Sequence, residues 1–172
     1  AKVQLYETGP RILPREEPIF SERITEVHRH DGVDVHVGEP ILAARYEDGR
    51  AYVETAHGEL DAEHLLVAAG RSSSVTSLGL ERLGVVATPA GINVDARSRT
   101  VTTSIYAVGD AATGRPRLTS TAVADASLAV RDMFLPGRAQ ASTMSPWCVF
   151  PEPELARVGF TAAQARERFR NR

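Results

Sequence analysis

The sequence has little that would serve a nucleic-acid-binding, membrane-spanning or disulfide-stabilised protein. It has one cysteine, Cys148, among 172 residues, so an intrachain disulfide and a cysteine-based zinc site are both excluded. No apolar run approaches the roughly 20 residues that a membrane-spanning helix needs. Lys and Arg number 20 against 22 Asp and Glu, which gives a net charge of −2 and argues against binding to many phosphates. We therefore expect no nucleic-acid and no membrane partner.

Several catalytic motifs are also missing. No two of the 13 glycines lie two residues apart, so the chain holds no complete G-x-G-x-x-G dinucleotide motif. The stretch from Gly109 to Gly114 resembles a phosphate-binding loop only superficially, because Arg115 replaces the required lysine and Pro116 follows it. There is no H-E-x-x-H pair and no G-x-S-x-G turn, which argues against a zinc protease and a serine hydrolase. We expect no metal site.

What is present is typical of a globular protein. Apolar residues make up 42% and charged residues 24% of the chain, and the length fits one domain or one and a half. The first residues, from Ala1 to Tyr6, lie in what looks like the middle of a structural element, and the last, from Arg166 to Arg172, end without a cap or turn. Both ends look cut, and we expect a piece of a longer protein.

Apolar periodicity predicts alternating strands and helices. In the first part of the chain, the pattern predicts a helix over 19–27 and strands over 3–6, 33–37, 41–46, 51–55 and 59–61, with hairpin turns at Asp48-Gly49 and His57-Gly58. The continuous apolar run over 64–69 predicts a strand buried on both faces. Further on, the pattern predicts a weak helix over 77–83, strands over 91–95, 105–108 and 147–150, a long helix over 119–134 ended by Pro136-Gly137, and a short helix capped by Thr161.

The most informative segment runs from Ile105 to Ala111. A predicted buried strand ends there in Gly109-Asp110, and a helix begins soon afterwards at Leu118-Thr119. In open α/β sheets, ligands bind beyond the carboxyl ends of the strands. A carboxylate at that place can accept hydrogen bonds from sugar hydroxyls, and a helix start supplies free N–H groups and partial positive charge. A carboxylate that only caps its own loop is the alternative for a bare Gly-Asp pair.

With its context, this segment resembles the second flavin motif of the FAD-dependent pyridine nucleotide–disulfide oxidoreductases, the family of dihydrolipoamide dehydrogenase, glutathione reductase and mercuric reductase. Three further motifs resemble the family in the same order along the chain: residues 3–14, 66–71 and 146–159. The resemblance implies an α/β fold made of portions of two Rossmann-like nucleotide-binding domains, for FAD and NAD, plus the start of an α+β interface domain. The implied boundaries are 1–70 for the NAD domain, 71–140 for the FAD domain and 141–172 for the interface domain.

The resemblance also implies a flavin site around the Gly109-Asp110 turn. Asp110 is similar to the family aspartate that binds the ribitol of FAD, and Ala111 would offer a backbone N–H near the pyrophosphate. The segment Leu118, Thr119, Ser120 to Ala122 resembles the helix start under the flavin, where the helix dipole favours negative charge on the reduced ring. The family often has glycine where this chain has Ala126, a mild departure that a helix tolerates.

An NAD site is implied in the first 70 residues. Glu7 is similar to the acidic residue that accepts hydrogen bonds from the adenosine ribose hydroxyls. A carboxylate there repels a 2′-phosphate, so NADH is favoured over NADPH. Gly70 would pass close to the nicotinamide ribose, and Ile41 would pack beside the adenine. A solvated Glu7 at a strand end is the alternative.

The implied parent protein is a cytoplasmic homodimer that passes a hydride from NAD(P)H to FAD and electrons on to a disulfide or metal-ion acceptor. This chain holds none of the residues that would act on the acceptor, and we expect Cys148 to be a buried structural thiol. Two other readings stay open. One is a relative without the redox cysteine pair, such as a flavin-dependent transhydrogenase or an oxidase. The other is a non-catalytic nucleotide-binding or interaction module, complete at 172 residues.

Overall fold

The structure is a computed structural model that describes residues 1–135, 137, 140, 141 and 145–170. It is a mixed α/β structure with parallel and antiparallel sheets. The chain divides into two compact units. The first consists of residues 1–68 and 148–172, and the second of residues 69–147.

The first unit begins with a strand–helix–strand segment. Strand β1 (Val3–Glu7) pairs in parallel with β2 (Val33–Val37), in a register that sets the first residues of the two strands, and likewise the last, opposite each other. Helix α1 (Pro18–His30) connects them, and the proline at its first position has the backbone angle that a helix start requires. Ile12, Ile24 and Val35 form the buried core of this segment. Both predicted strands and the predicted helix are confirmed.

A three-stranded antiparallel sheet follows in the same unit. Its strands are β3 (Ile41–Glu47), β4 (Arg50–Thr55) and β5 (Gly58–Ala62), in that order. The predicted turns at Asp48-Gly49 and His57-Gly58 are confirmed, and β4 alternates between buried and more exposed residues as the central strand of the sheet. The two dipeptide turns therefore connect neighbouring antiparallel strands, as predicted.

The second unit is built around a long helix. It contains the short strands β6 (Ala87–Thr88) and β7 (Gly91–Ile92), which pair antiparallel, and helix α2 (Thr119–Phe134). Five buried residues form its core: Val75, Val85, Ile92, Ala107 and Ala112. The predicted bounds of the long helix are confirmed; Gly137 lies beyond its end, and Pro136 lies outside the described residues.

The last part of the chain is a two-stranded sheet and a short helix: β8 (Pro146–Val149), β9 (Leu155–Val158) and α3 (Ala162–Arg168). Thr161 caps α3 as predicted, because its hydroxyl accepts a hydrogen bond from the Gln164 N–H and the Gln164 side chain bonds the Thr161 N–H in return. Within the first unit, Arg157 on β9 pairs with the buried carboxylate of Glu16, with 2.8 Å between Arg157 Nε and Glu16 Oε2.

Two predicted strands are wrong. Residues 64–69 form no strand and leave Leu65, Leu66 and Val67 exposed, and no strand of the described residues pairs with them. Residues 105–108 form only a single bridge, between Tyr106 and Arg99, although Ala107 is buried. Apolar runs of this kind become strands only where a neighbouring strand offers its backbone hydrogen bonds.

Two smaller predictions also fail, and a third holds only in part. Residues 77–83 form no α-helix but two short 3-10 turns, Thr76–Leu78 and Leu80–Leu83, because Gly79 between them adopts the left-handed conformation. Cys148 is half-buried rather than buried, with its Sγ 3.6 Å from the Val149 carbonyl oxygen. The strand predicted over 91–95 is limited to the two residues of β7.

Candidate functional site

The Gly109–Ala111 segment is a tight 3-10 turn packed against the beginning of α2. Gly109 is buried and has a φ of +57°, in the left-handed region that favours glycine. A Cβ atom at this position would lie 2.7 Å from the Cβ of Ala122. The missing side chain therefore allows the turn to approach the helix closely, and it places Asp110 beside the first turn of α2.

Asp110 has an accessible carboxylate on a fixed backbone. Its side chain is 50% exposed, and its Oδ2 lies 3.8 Å from the nearest guanidinium nitrogen of Arg71. Its main-chain carbonyl accepts a hydrogen bond of 2.6 Å from the Ser73 hydroxyl. Arg117 donates to the carbonyl oxygen of Arg71, which holds the segment carrying that guanidinium. The carboxylate can thus accept a hydrogen bond from a ligand while its backbone stays in place.

The start of α2 is open to a ligand. Leu118 stands at the N-cap position in an extended conformation, and its apolar side chain provides no cap for the N–H groups of the first turn. Thr119 and Ser120 are exposed there, and Ala122 is half-buried against Gly109. Uncapped N–H groups and the helix dipole both favour a ligand with partial negative charge. Ala111 is half-buried, and its N–H donates to the Val108 carbonyl at 3.3 Å within the turn.

A buried carboxylate supports this turn from the helix side, and the sequence analysis missed it. Asp125 on α2 is 5% exposed in its side chain and accepts a hydrogen bond of 3.2 Å from the Gly109 N–H. The Nε of Arg115 lies 3.6 Å from the same carboxylate oxygen. Arg115, Thr121 and Asp125 are among the residues that line a cavity of about 240 Å³ in this unit. The signal in the sequence was an aspartate four residues after Thr121, on the buried face of an apolar helix.

A second carboxylate on α2 was also missed. The side chain of Asp132 is 6% exposed and accepts hydrogen bonds from Arg97 at 3.2 Å, from Arg99 Nε and from the Tyr106 hydroxyl at 2.8 Å. The hydrogen bond from Arg99 is the main reason that the pKa of Asp132 lies below its usual value. The same carboxylate raises the pKa of Tyr106. This cluster attaches residues 97–106 to α2.

In the first unit, Glu7 ends β1 beside the end of β2. Its Oε1 accepts hydrogen bonds from the Gly9 N–H at 2.6 Å and from the Thr8 hydroxyl at 3.2 Å. Its carbonyl accepts from the Glu39 N–H, and the Tyr6 ring stacks on that of His36 with 4.4 Å between centroids. Burial, followed by the charges of Glu39 and Asp34, raises the pKa of Tyr6. The carboxylate is thus positioned at the carboxyl end of a parallel strand, where α/β folds bind ligands.

The predicted site residues belong to both units. Glu7 and Ile41 belong to the first unit, and Ile41 is exposed at the start of β3. Gly70 belongs to the second unit, together with Asp110 and the start of α2; it is exposed, with a φ of +112°. The candidate residues thus form two sets, one in each unit.

The described residues show neither a metal centre nor a membrane span. Nowhere in them do three His, Cys, Asp or Glu side chains come together in a way that could hold a metal ion. None of their helices combines the length and apolar character that crossing a membrane requires.

The sequence pattern of a known family matches most of the chain. Residues 1–126 match the family described as pyridine nucleotide-disulphide oxidoreductase. The chain belongs to this family. The match includes β1 with Glu7, the Gly109–Ala111 turn and the first half of α2 with Asp125. The resemblance inferred from the four motifs is therefore confirmed at the level of the family.

Individual relatives agree with this assignment. The chain is 37% identical to mercuric reductase from Acidithiobacillus ferrooxidans over 90% of its own length and 28% of the relative's. It is 34% identical to the probable pyridine nucleotide-disulfide oxidoreductase RclA of Escherichia coli, over 97% of this chain and 38% of that protein. The chain thus spans roughly a quarter to two fifths of the length of these relatives.

Solved structures show the same fold. The HOCl-induced flavoprotein disulfide reductase RclA from Escherichia coli matches with a TM-score of 0.84 at 32% identity, over 97% of this chain and 39% of that one. LpdA from Mycobacterium tuberculosis matches with a TM-score of 0.86 at 25% identity, over 97% of this chain and 37% of that one. The mixed α/β fold predicted from the sequence is the fold of the matching parts of these two structures.

Proposed function

We propose that this chain is the cofactor-binding middle part of a flavoprotein oxidoreductase that uses NADH and FAD. Membership of the family supports the reaction class. The observation that supports the flavin role most strongly is the Gly109–Ala111 turn, which sets the accessible Asp110 carboxylate beside the uncapped start of α2. Bound FAD would accept a hydride from the nicotinamide and pass two electrons to a further acceptor.

The residues of the second unit fit the flavin. Asp110 would accept hydrogen bonds from ribitol hydroxyls, since its carboxylate is half exposed and paired only at long range with Arg71. The first-turn N–H groups of α2 would face the electron-rich edge of the ring system. Gly109 allows this arrangement because it carries no side chain toward Ala122. Gly70 would leave room for the nicotinamide ribose, since nothing lies within 4 Å of the Cβ position there.

The residues of the first unit fit an NADH site. Glu7 would accept hydrogen bonds from the adenosine ribose, exchanging its present contacts with Gly9 and Thr8 for those hydroxyls. Its negative charge would oppose the 2′-phosphate of NADPH, which makes NADH the preferred donor. The exposed side chain of Ile41 would pack beside the adenine.

The remaining features of the proposed parent protein rest on the family alone. We place residues 1–70 in an NAD-binding domain, residues 71–140 in an FAD-binding domain and residues 141–172 at the start of an interface domain. The parent would be a cytoplasmic homodimer whose electrons reach a disulfide or a metal ion through a cysteine pair. Cys148 is the single cysteine of this chain, and we assign it no part in that step.

The experiment that tests the flavin role is Asp110→Ala in the full-length protein that contains this chain. Loss of a hydrogen bond to a charged group costs about 1.5–3 kcal/mol, so we expect the dissociation constant of FAD to rise by about tenfold or more. FAD content after purification and titration of the apoprotein, followed by flavin fluorescence, measure the effect.

Asp61→Ala is the matched control, because Asp61 is an exposed aspartate on β5 of the first unit. It should leave the FAD affinity unchanged. A full-length protein that binds no FAD would overturn the proposed function. Unchanged FAD affinity in Asp110→Ala would overturn the role given to Asp110.

A further inference from the structure

Asp125 is a buried carboxylate whose contacts lead to the flavin-site turn. It lies in α2 four residues after Thr121, on the face that also buries Leu128 and Ala129. Removing a carboxylate from water is costly unless hydrogen bonds and opposite charge compensate. Here a backbone N–H and a guanidinium provide that compensation, since Asp125 Oδ2 lies 3.2 Å from Gly109 N and 3.6 Å from Arg115 Nε.

The contact with Gly109 bears directly on the candidate site. Gly109 is the residue immediately before Asp110, and its N–H points to the helix, whereas the Asp110 side chain is half exposed. The Ser73 hydroxyl donates a hydrogen bond to the carbonyl of Asp110, the next residue of the turn. The turn is therefore held at two points, and Asp125 provides the one that comes from α2.

Resting on the proposed function, we propose that Asp125 is a positioning residue for flavin binding. Its carboxylate holds the Gly109 N–H against α2 and thereby keeps the Asp110 carboxylate in the geometry that a ribitol hydroxyl requires. Arg115 places a positive charge 3.6 Å from the Asp125 carboxylate, on the protein side of the turn. Binding strength then depends on where the acceptor oxygen lies more than on its charge.

Three variants of Asp125 separate position from charge. Asp125→Asn keeps an acceptor oxygen at the same distance and loses the charge, so the FAD dissociation constant should stay within about threefold of the wild type. Asp125→Glu keeps the charge but moves the carboxylate by one methylene, and Asp125→Ala removes the acceptor. Both should weaken FAD binding by about tenfold, as expected when the hydrogen bond to a charged group is lost. Affinities are measured by titrating the full-length apoprotein well below the melting temperature of each variant.

Asp132→Asn is the matched control, since Asp132 is the other enclosed carboxylate on α2 and contacts Tyr106 and two arginines instead of the turn. The Asp132→Asn variant should have a lower melting temperature. Its FAD dissociation constant should stay within about twofold of the wild type, because Asp132 does not contact Gly109. A second readout is the amide resonance of Gly109 in ¹⁵N-labelled apoprotein. It should shift and exchange faster with solvent in Asp125→Glu than in Asp125→Asn.

Specific outcomes would overturn the proposal. Unchanged FAD affinity in both Asp125→Ala and Asp125→Glu would do so. So would an equal loss in Asp132→Asn, which would mean that general loosening of α2 is the cause. If Asp125→Ala gives no folded protein, the comparison of Asp125→Asn with Asp125→Glu decides, and tighter binding by Asp125→Glu contradicts positioning. If Asp110→Ala also leaves the FAD affinity unchanged, the flavin assignment itself has failed. If only the Asp125 variants leave the affinity unchanged, the flavin assignment stands and the positioning role of Asp125 has failed.

Discussion

At the scale of single residues, three aspartates within 23 positions have different surroundings and therefore different roles. Asp110 is half exposed on a turn, whereas the side chains of Asp125 and Asp132 are almost fully enclosed on α2. An exposed carboxylate can exchange water for a ligand hydroxyl at little cost, but an enclosed one is committed to its protein partners. Burial thus separates the residue that would bind the flavin from those that hold the structure around it.

Gly109 offers a prediction at this scale. In Gly109→Ala the new Cβ would be 2.7 Å from the Cβ of Ala122, and the φ of +57° would be strained for a side chain. The strain costs about 1–2 kcal/mol, and the overpacking adds about 1–3 kcal/mol. We expect urea denaturation of the full-length protein to show both losses, together with weaker FAD binding.

Gly114→Ala separates the two contributions. Gly114 has a φ of +76°, but nothing lies within 4 Å of its Cβ position, so this variant should show only the backbone strain. Equal destabilisation by the two substitutions would mean that Gly109 is not packed against Ala122 as the structure has it.

At the scale of elements, local signals predicted the two longer helices and the hairpins correctly, whereas two strands were predicted where no strand forms. Helix α2 was predicted with its observed bounds because an apolar pattern ran without interruption to its end. The sheet of β3, β4 and β5 followed from two glycine-containing turns. The strand prediction for residues 64–69 failed because apolar character does not show whether a neighbouring strand is present to share hydrogen bonds.

The Asp132 cluster predicts how acid weakens the attachment of residues 97–106 to α2. The pKa of Asp132 is below its usual value of 3.8 in the folded state, chiefly because Arg99 donates a hydrogen bond to it. Its contribution to stability is therefore complete above about pH 3.8 and is lost as the pH falls through the lower, folded-state pKa. The difference in unfolding free energy between wild type and Asp132→Asn should be larger at pH 6 than at pH 3.

Asp48→Asn provides the reference for that experiment. Asp48 lies in an exposed hairpin turn with a positive φ, a position that asparagine also tolerates. Its effect on stability should be small at both pH values. A difference for Asp132→Asn that does not shrink in acid would show that its carboxylate gains nothing from Arg99 and Tyr106. Unfolding curves of the full-length protein at pH 6 and pH 3 measure these differences in unfolding free energy.

At the scale of the whole molecule, the sequence identified the family and part of the candidate flavin site. Gly109 and Asp110 could be proposed because their motif is contiguous, and Glu7 because its segment resembles a motif of the family. Asp125 was missed because its partners, Gly109 and Arg115, lie 16 and 10 residues earlier, and only the folded chain brings them together. A single aspartate in a helix rich in alanine gives no sign of its partner, so supporting residues are harder to predict than ligand-binding ones.

The division of the candidate residues between two units leads to a prediction about both cofactors. FAD should slow amide exchange over residues 109–122 of the second unit, and NAD⁺ should do so over residues 5–9 and 36–39 of the first, because a ligand stabilises the segments that it contacts. At 100 times its dissociation constant, a ligand contributes about 2.7 kcal/mol, or about a hundredfold in exchange rate. NADP⁺ at the same concentration should protect residues 5–9 less, since Glu7 opposes its 2′-phosphate.

Hydrogen exchange of the full-length protein followed by mass spectrometry, with α3 as an internal reference, measures these effects. Equal protection by NAD⁺ and NADP⁺ would contradict the role of Glu7, and FAD protection confined to the first unit would contradict the placement of the flavin at α2.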